Sequence, residues 1–279
     1  NNSVNGGDVI LDQPLNVTRT LNLTEGMITT SANLLTIGAA GNATAPTPTS
    51  FVNGPLAKTG NTAFTFPVGK AGEGYRTIGI GTPSGNATFR AEFVRSNPGG
   101  GTLGAGITQI STCEYWDLTR TGGGAGINAR VTLSWESVSP CGSSTVYVTN
   151  PVTLRVAHFV GGTWINEGRS ASTGDNTSGT VTSQNSVATF SPFTLASSSF
   201  LDNPLPVLFA NVKAYEKNNG IQIEWSNLTE KDVAGYSIER SSNGTEFSSI
   251  GQQLPTSNQN DKADYSAFDA NPAQGVSYY

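Results

Sequence analysis

The sequence is short of charge, of histidine and of cysteine, and each shortage excludes a class of protein. Only 13% of its 279 residues are charged, against roughly 25% in ordinary domains. The net charge is −5 and no lysine/arginine cluster occurs, so the basic footprint that neutralises phosphates is missing and nucleic acid is excluded as a partner. No apolar run approaches the roughly 18 residues of a membrane span. One histidine and two cysteines cannot supply the four ligands of a structural zinc site. No GxSxG elbow occurs, and Gly99-Gly100-Gly101 is followed neither by GK[ST] nor by a helix-forming run, so it reads as a turn or linker, not a phosphate cradle. No convincing amphipathic helix is found. The chain begins NNSVNGG without a signal peptide, so a secreted protein is expected here in mature or trimmed form.

Serine, threonine, asparagine and glycine take the place of charge, and they favour strands and turns over helices. In INARVTLSW, Ile127, Ala129, Val131, Leu133 and Trp135 fall on one face and Asn128, Arg130, Thr132 and Ser134 on the other, the period-two alternation of a half-buried strand. The expected fold is all-β: a β-solenoid-like or meander region over residues 1–106, then two Ig/fibronectin-like β-sandwiches in series over 107–200 and 205–279. In the first region the apolar pairs Val9/Leu11, Leu15/Val17 and Leu21/Leu23 suit stacked solenoid coils or, alternatively, an ordinary sandwich edge. Cys113 and Cys141 bracket the clearest strand. They are expected to form a disulfide worth roughly 3–4 kcal/mol, the alternative being two buried thiols; a chain this poor in charge already looks extracellular, where bridges persist.

No catalytic, cofactor-binding or metal-binding residue is predicted. His158 would have to serve any Ser-His-Asp or Cys-His site and reads instead as a strand histidine. Glu114, Asp117 and Glu136 cannot be paired as glycosidase carboxylates from sequence. Asp261, Asp264 and Asp269 lie in a stretch read as loop-rich, where the only ion to expect is a structural calcium, the simpler reading being a solvated turn. Trp116, Trp135 and Trp164 sit in separate strand patterns and are expected in the core. The sequons at Asn16, Asn22, Asn86 and Asn227 are not counted as glycans, since an asparagine- and threonine-rich chain produces many by chance.

The run LPVLFANVKAYEKNNGIQIEWSNLTEKDVAGYSIERSSNGTEFSSIG, followed by DYSAFDANPAQGVSYY, resembles the fibronectin type III-like module of large secreted surface proteins of the Bacteroidota, which in that family usually precedes a sorting domain for type IX secretion. FVNGPLAKTGNTAFTFPVGKAGEGYRTIGIG, CEYWDLTRTGG, LRVAHFVGGTWINEG and FSPFTLAS resemble segments upstream in the same proteins. The resemblance implies an exported, cell-surface or extracellular, multi-module protein and leaves its specific job open.

About six of a fibronectin-type sandwich's seven strands can be counted before Tyr279. The last is expected to be cut off or supplied by another chain, which makes Val276, Ser277, Tyr278 and Tyr279 a strand-acceptor edge. The expected function is a non-enzymatic structural one: an adhesin or stalk, or a self-assembling filament subunit sharing strands with other copies or with other surface proteins. The alternative is a carbohydrate-binding accessory region of a larger hydrolase, with Trp164 and Tyr147 as the aromatics that would then face a glycan.

Overall fold

The computed structural model describes residues 7–136, 148–199, 202–203, 209–231, 233, 235–256 and 259–279. Among them the chain is all-β, without a helix, and its sheets do not close into a barrel. It divides into two compact units, Asn1–Pro206 and Val207–Tyr279.

The first unit begins with very short strands. A first circuit holds β1 (Val9–Ile10), β2 (Leu15–Val17) and β3 (Thr20–Leu21). A second holds β4 (Ile28–Thr29), β5 (Leu35–Ile37) and β6 (Asn42–Ala43). β7 (Val52–Asn53) and β8 (Leu56–Gly60) start a third. Equivalent strands pair in parallel: Val9 beside Ile28 and Ile28 beside Val52, Leu15 beside Leu35 and Leu35 beside Leu56, Leu21 beside Ala43. Parallel pairing needs a long return path, and here the chain returns through the other two ladders. Burial rises along the stack. Leu35, Ile37, Val52 and Leu56 are fully buried, whereas Ile10 and Leu15 are 71% and 46% exposed, because among the described residues nothing lies over the first circuit. A glycine is required at one corner: Gly54 has φ +124°, and a Cβ there would meet the Thr30 carbonyl oxygen at 2.4 Å. Lys58 is buried and donates from Nζ to the carbonyls of Gly38 and Ala39 at 2.7 and 3.0 Å; burial lowers its pKa.

The chain then changes to mainly antiparallel pairing. β9 (Phe64–Phe66), β10 (Val68–Lys70), β11 (Gly74–Tyr75), β12 (Ile78–Ile80) and β13 (Ala87–Val94) come first. β14 (Thr102–Leu103), β15 (Gln109–Ile110), β16 (Tyr115–Gly123) and β17 (Val131–Glu136) follow. β18 (Leu154–Val160), β19 (Thr163–Asn166), β20 (Ala171–Gly174), β21 (Ser178–Thr182) and β22 (Pro192–Ser197) complete the unit. β10 on β7 and β14 on β19 are still parallel. A 10-stranded sheet runs β14–β19–β18–β22–β16–β13–β8–β5–β2, with β15 on β22, and a 5-stranded sheet runs β20–β21–β17–β12–β9. The two share one core containing Phe66, Phe89, Trp116, Leu133, Trp135 and Phe193, the arrangement of a β-sandwich. Residues on both sides of Gly106 belong to the same sheet, since β13 pairs with β16 from Ala87–Gly123 to Val94–Tyr115 and with β8 on its other side.

Of the alternating run, Ile127, Ala129, Val131, Leu133 and Trp135 are all buried. Ser134, read as outward, is buried too, because its Oγ accepts from the Thr77 amide at 2.7 Å. A smaller core of Ile107, Ala157, Trp164 and Ala196 forms separately. Part of the stretch between the two expected sandwiches is built into the first unit: Asn203 is fully buried, and its Oδ1 accepts from the amides of Thr149 and Asn150, both at 2.9 Å.

The second unit holds β23 (Phe209–Lys217), β24 (Gly220–Lys231), β25 (Tyr236–Arg240), β26 (Ser248–Gln253) and β27 (Gln259–Asp269). β23–β24–β27 make a 3-stranded antiparallel sheet and β25–β26 a 2-stranded one. Asn218 and Asn219, with φ 47° and 63°, make the two-residue turn between β23 and β24, where two positive φ values match the twist of the strands. Trp225 and Tyr265 stack at 5.3 Å, and Tyr236 packs on Tyr265 at 4.8 Å. Ile223, Ile238 and Ala263 complete this core.

Candidate functional site: an open strand edge in the C-terminal unit

The residues around Tyr278 start a further strand. The Ser241 amide donates to the Tyr278 carbonyl at 2.9 Å and the Tyr278 amide to the Ser241 carbonyl at 2.8 Å, an antiparallel bridge beside the end of β25. Ser241 is fixed in turn by the Ser242-Asn243-Gly244 turn, where its Oγ accepts from the Asn243 and Gly244 amides at 3.2 and 2.9 Å. Backbone groups alternate sides along a strand, so those of Glu239 and Ser237 face the same way as those of Ser241. Among the described residues no strand pairs with them on that side. Val276, Ser277, Tyr278 and Tyr279 are thus held on one side through Tyr278, and the open backbone edge includes β25 as well. Val212 shows how far the interior is uncovered. It lies opposite Trp225, which lies opposite Tyr265, yet Val212 is 62% exposed while both aromatics are buried.

Tyr279 is tied down by Asp269. Its hydroxyl and Arg240 Nη1 each donate to Asp269 Oδ2 at 2.8 Å, and the Asn271 amide donates to Oδ1 at 2.9 Å. Burial opposes the charge of Asp269, but the hydrogen bonds from Tyr279 and Arg240 outweigh it and hold the carboxyl below the ordinary aspartate range. Burial and the bond to Asp269 hold the Tyr279 hydroxyl above the ordinary tyrosine range. A depressed carboxyl stabilises the fold above its unfolded pKa and loses that contribution as pH falls through the folded value; a raised phenol loses its own as pH rises through its folded value. The tie is therefore complete between roughly pH 5 and pH 9. The protection factor of the Tyr278 amide, its exchange rate relative to the unfolded chain at the same pH, should be highest in that window and fall as pH drops below the ordinary aspartate range, and Asp269→Asn should remove the acid limb. An acid limb unchanged in the variant would show that other carboxylates set it.

The other residues singled out in the sequence do not converge. His158 is buried, with Nδ1 3.3 Å from Glu167 Oε1 and its ring stacked on Phe193 at 4.3 Å; it is a buried strand residue of β18. Glu114 is buried against Arg76, Asp117 accepts from Thr119 at 3.0 Å, and Glu136 carries its charge near Tyr75, where burial first and that charge second raise the phenol pKa. Asp264 and Asp269 lie on β27, not in a loop. Five residues apart on a strand, they point to opposite faces, and Asp264 pairs instead with Lys262 at 3.0 Å. Asp261's side chain lies outside the described residues. Trp116, Trp135 and Trp164 are all fully buried, so Trp164 presents no ring to a glycan; Tyr147 lies outside the described residues. Cys113 is half-buried against the main core, and Cys141, its expected partner, also lies outside them. The sequence reading missed the outward-facing aromatics of the second unit, Tyr215 and Phe268. Their signal was available: each is a lone aromatic on the polar phase of an alternating strand.

Comparison of the chain with protein-family models, with curated proteins and with solved structures found no match in any of the three.

Proposed function

We propose that the protein is a non-enzymatic structural component at the cell surface or outside the cell, of the kind that the Bacteroidota export by type IX secretion. In this reading the parallel circuits form a solenoid-like base leading into sandwiches, and the second unit is a fibronectin type III-like module whose open β25 edge takes a strand from a neighbouring copy, in a stalk or self-assembling filament. The observation that supports it is at β25: Tyr278 bridges to Ser241, and among the described residues no strand pairs with the backbone of Glu239 and Ser237 on that side. A strand laid along that edge gains a ladder of main-chain hydrogen bonds. The Cys113–Cys141 bridge belongs to the same proposal, since it persists in an oxidising compartment; intact mass before and after reduction tests it.

Negative-stain electron microscopy of the purified chain, beside Glu239→Pro, tests the function. Proline removes the amide that an incoming strand must use and leaves the paired β26 side intact. Filaments or end-to-end oligomers from the parent chain and single particles from the variant are expected. Single particles from both would defeat strand sharing; filaments from both would place the contact elsewhere.

A further inference from the structure

The second unit carries a separate surface that the strand edge does not use. On the face of the 3-stranded sheet opposite Trp225 and Tyr265, nine side chains form three cross-strand rows. Asn211, Ser226 and Asp264 make one, Lys213, Glu224 and Ser266 the next, and Tyr215, Gln222 and Phe268 the third. The first two rows line a trough of about 420 Å³, within the usual range for small-ligand sites. The third row flanks it with two aromatic rings. Tyr215 is 41% and Phe268 49% exposed. The Phe268 ring extends over Gly220, where a Cβ would come within 2.5 Å of its Cζ. Only a residue without a side chain leaves that space for the ring.

The charges in the trough cancel locally. Lys213 Nζ is 2.8 Å from Glu224 Oε2, and Lys262 is 3.0 Å from Asp264. Tyr215 Oη donates to Glu224 Oε1 at 2.6 Å. The hydrogen bonds from Lys213 and then Tyr215 hold Glu224 ionised, below the ordinary glutamate range. A charged polymer thus finds no excess of opposite sign. The side chains of Asn211, Ser226 and Ser266 hydrogen-bond to no protein group among the described residues, which leaves an amide and two hydroxyls for a ligand rich in hydroxyl groups. Tyr215 and Phe268 are two strands apart, about 10 Å at the usual strand spacing, a separation comparable with the length of a disaccharide.

We infer that this face is a binding platform for an uncharged glycan chain: Tyr215 and Phe268 stack on sugar rings, Gln222 between them and the Asn211–Ser226 and Glu224–Ser266 side chains bond to hydroxyls. Aromatic faces attract the apolar C–H faces of sugars, and the polar rows fix their orientation, the division of labour found in small-ligand sites. The platform is independent of how the edge of β25 is filled.

Affinity electrophoresis of the whole chain through gels containing soluble galactomannan, xylan, mixed-linkage β-glucan or dextran, with alginate as the charged comparison, tests it. Retardation by at least one neutral polysaccharide is expected. The doubly substituted Tyr215→Ala/Phe268→Ala chain should bind about tenfold more weakly or worse, the loss that corresponds to about 1.4 kcal/mol of aromatic contact. Both side chains are outward, so near-native circular dichroism is expected. Val212→Ser, on the opposite face, should bind as the parent does, and Gln222→Ala should weaken binding without changing the fold. No retardation in any neutral gel, retardation by alginate alone, or equal retardation of the parent and the double variant would each overturn the proposal.

Discussion

Trp116→Ala is expected to destabilise the first unit by roughly 3–5 kcal/mol, the cost of removing a fully enclosed tryptophan from a packed core. Trp116 is inaccessible to solvent and packs on Phe93 at 5.6 Å. Its strand, β16, joins β13 to β22 in the 10-stranded sheet, with Trp116 beside Phe93 on one side and Phe193 on the other. Its indole Nε1 donates to the Arg76 carbonyl at 2.9 Å, so truncation also leaves a buried acceptor without its donor, which adds to the cavity. Trp116→Phe fills most of the space and forfeits that bond; it should cost less than half as much as alanine. Urea unfolding followed by far-ultraviolet circular dichroism checks both. Equal midpoints for parent and alanine variant would mean that this residue is not enclosed as described.

Glu114→Ala should be nearly as damaging, by roughly 3–5 kcal/mol, because it removes a buried carboxylate that lies 3.6 Å from the buried Arg76 guanidinium. Arg76 Nε lies 3.6 Å from Glu114 Oε2, and the two side chains are 2% and 0% exposed. A buried pair is costly to desolvate, so removing both charges differs from removing one. The Arg76→Met/Glu114→Leu chain should recover more than half of the loss seen in either single change. A double variant no better than the sum of the singles would show that the pair does not act as a unit. Glu114 also precedes β16, and the Arg76 carbonyl receives the Trp116 indole. Trp116→Ala and Glu114→Ala should therefore combine non-additively, as neighbours sharing one strut do.

What the sequence made legible was whatever alternation writes locally. The face running from Ile127 to Trp135 could be read without a structure, as could the short apolar pairs near the N-terminus. Pairing at long range could not. The glycine-rich stretch around Gly99 marks a loop but carries no information on whether its flanking strands, β13 and β16, lie in one sheet. Arg76 and Glu114 meet because β12 and β16 begin close together, a coincidence of topology that no spacing announces. His158 stacks on Phe193 of β22, a neighbour distant in sequence, whereas Glu167 lies only nine residues on, just past the hairpin strand β19. At the strand edge, counting strands pointed to Val276–Tyr279, but the bridge of Tyr278 to Ser241 and the exposure of Val212 needed the pairing itself. Tyr215 and Phe268 share a row only because β24 lies between them, so their juxtaposition was invisible one strand at a time.

The parallel circuits at the start of the chain have an evolutionary consequence. The first circuit pairs with the second through three ladders and the second with the third through two of them, so each presents the next with an equivalent ledge of backbone donors and acceptors. Whole circuits can then be duplicated or deleted in the coding sequence while the antiparallel part keeps its docking surface on β8, because nearest-neighbour contacts alone hold such a stack together. Length becomes a heritable quantity that changes in steps of one circuit, about the 4.8 Å spacing between strands. Related chains should differ in reach by multiples of that step, with insertions of intermediate size confined to the corners.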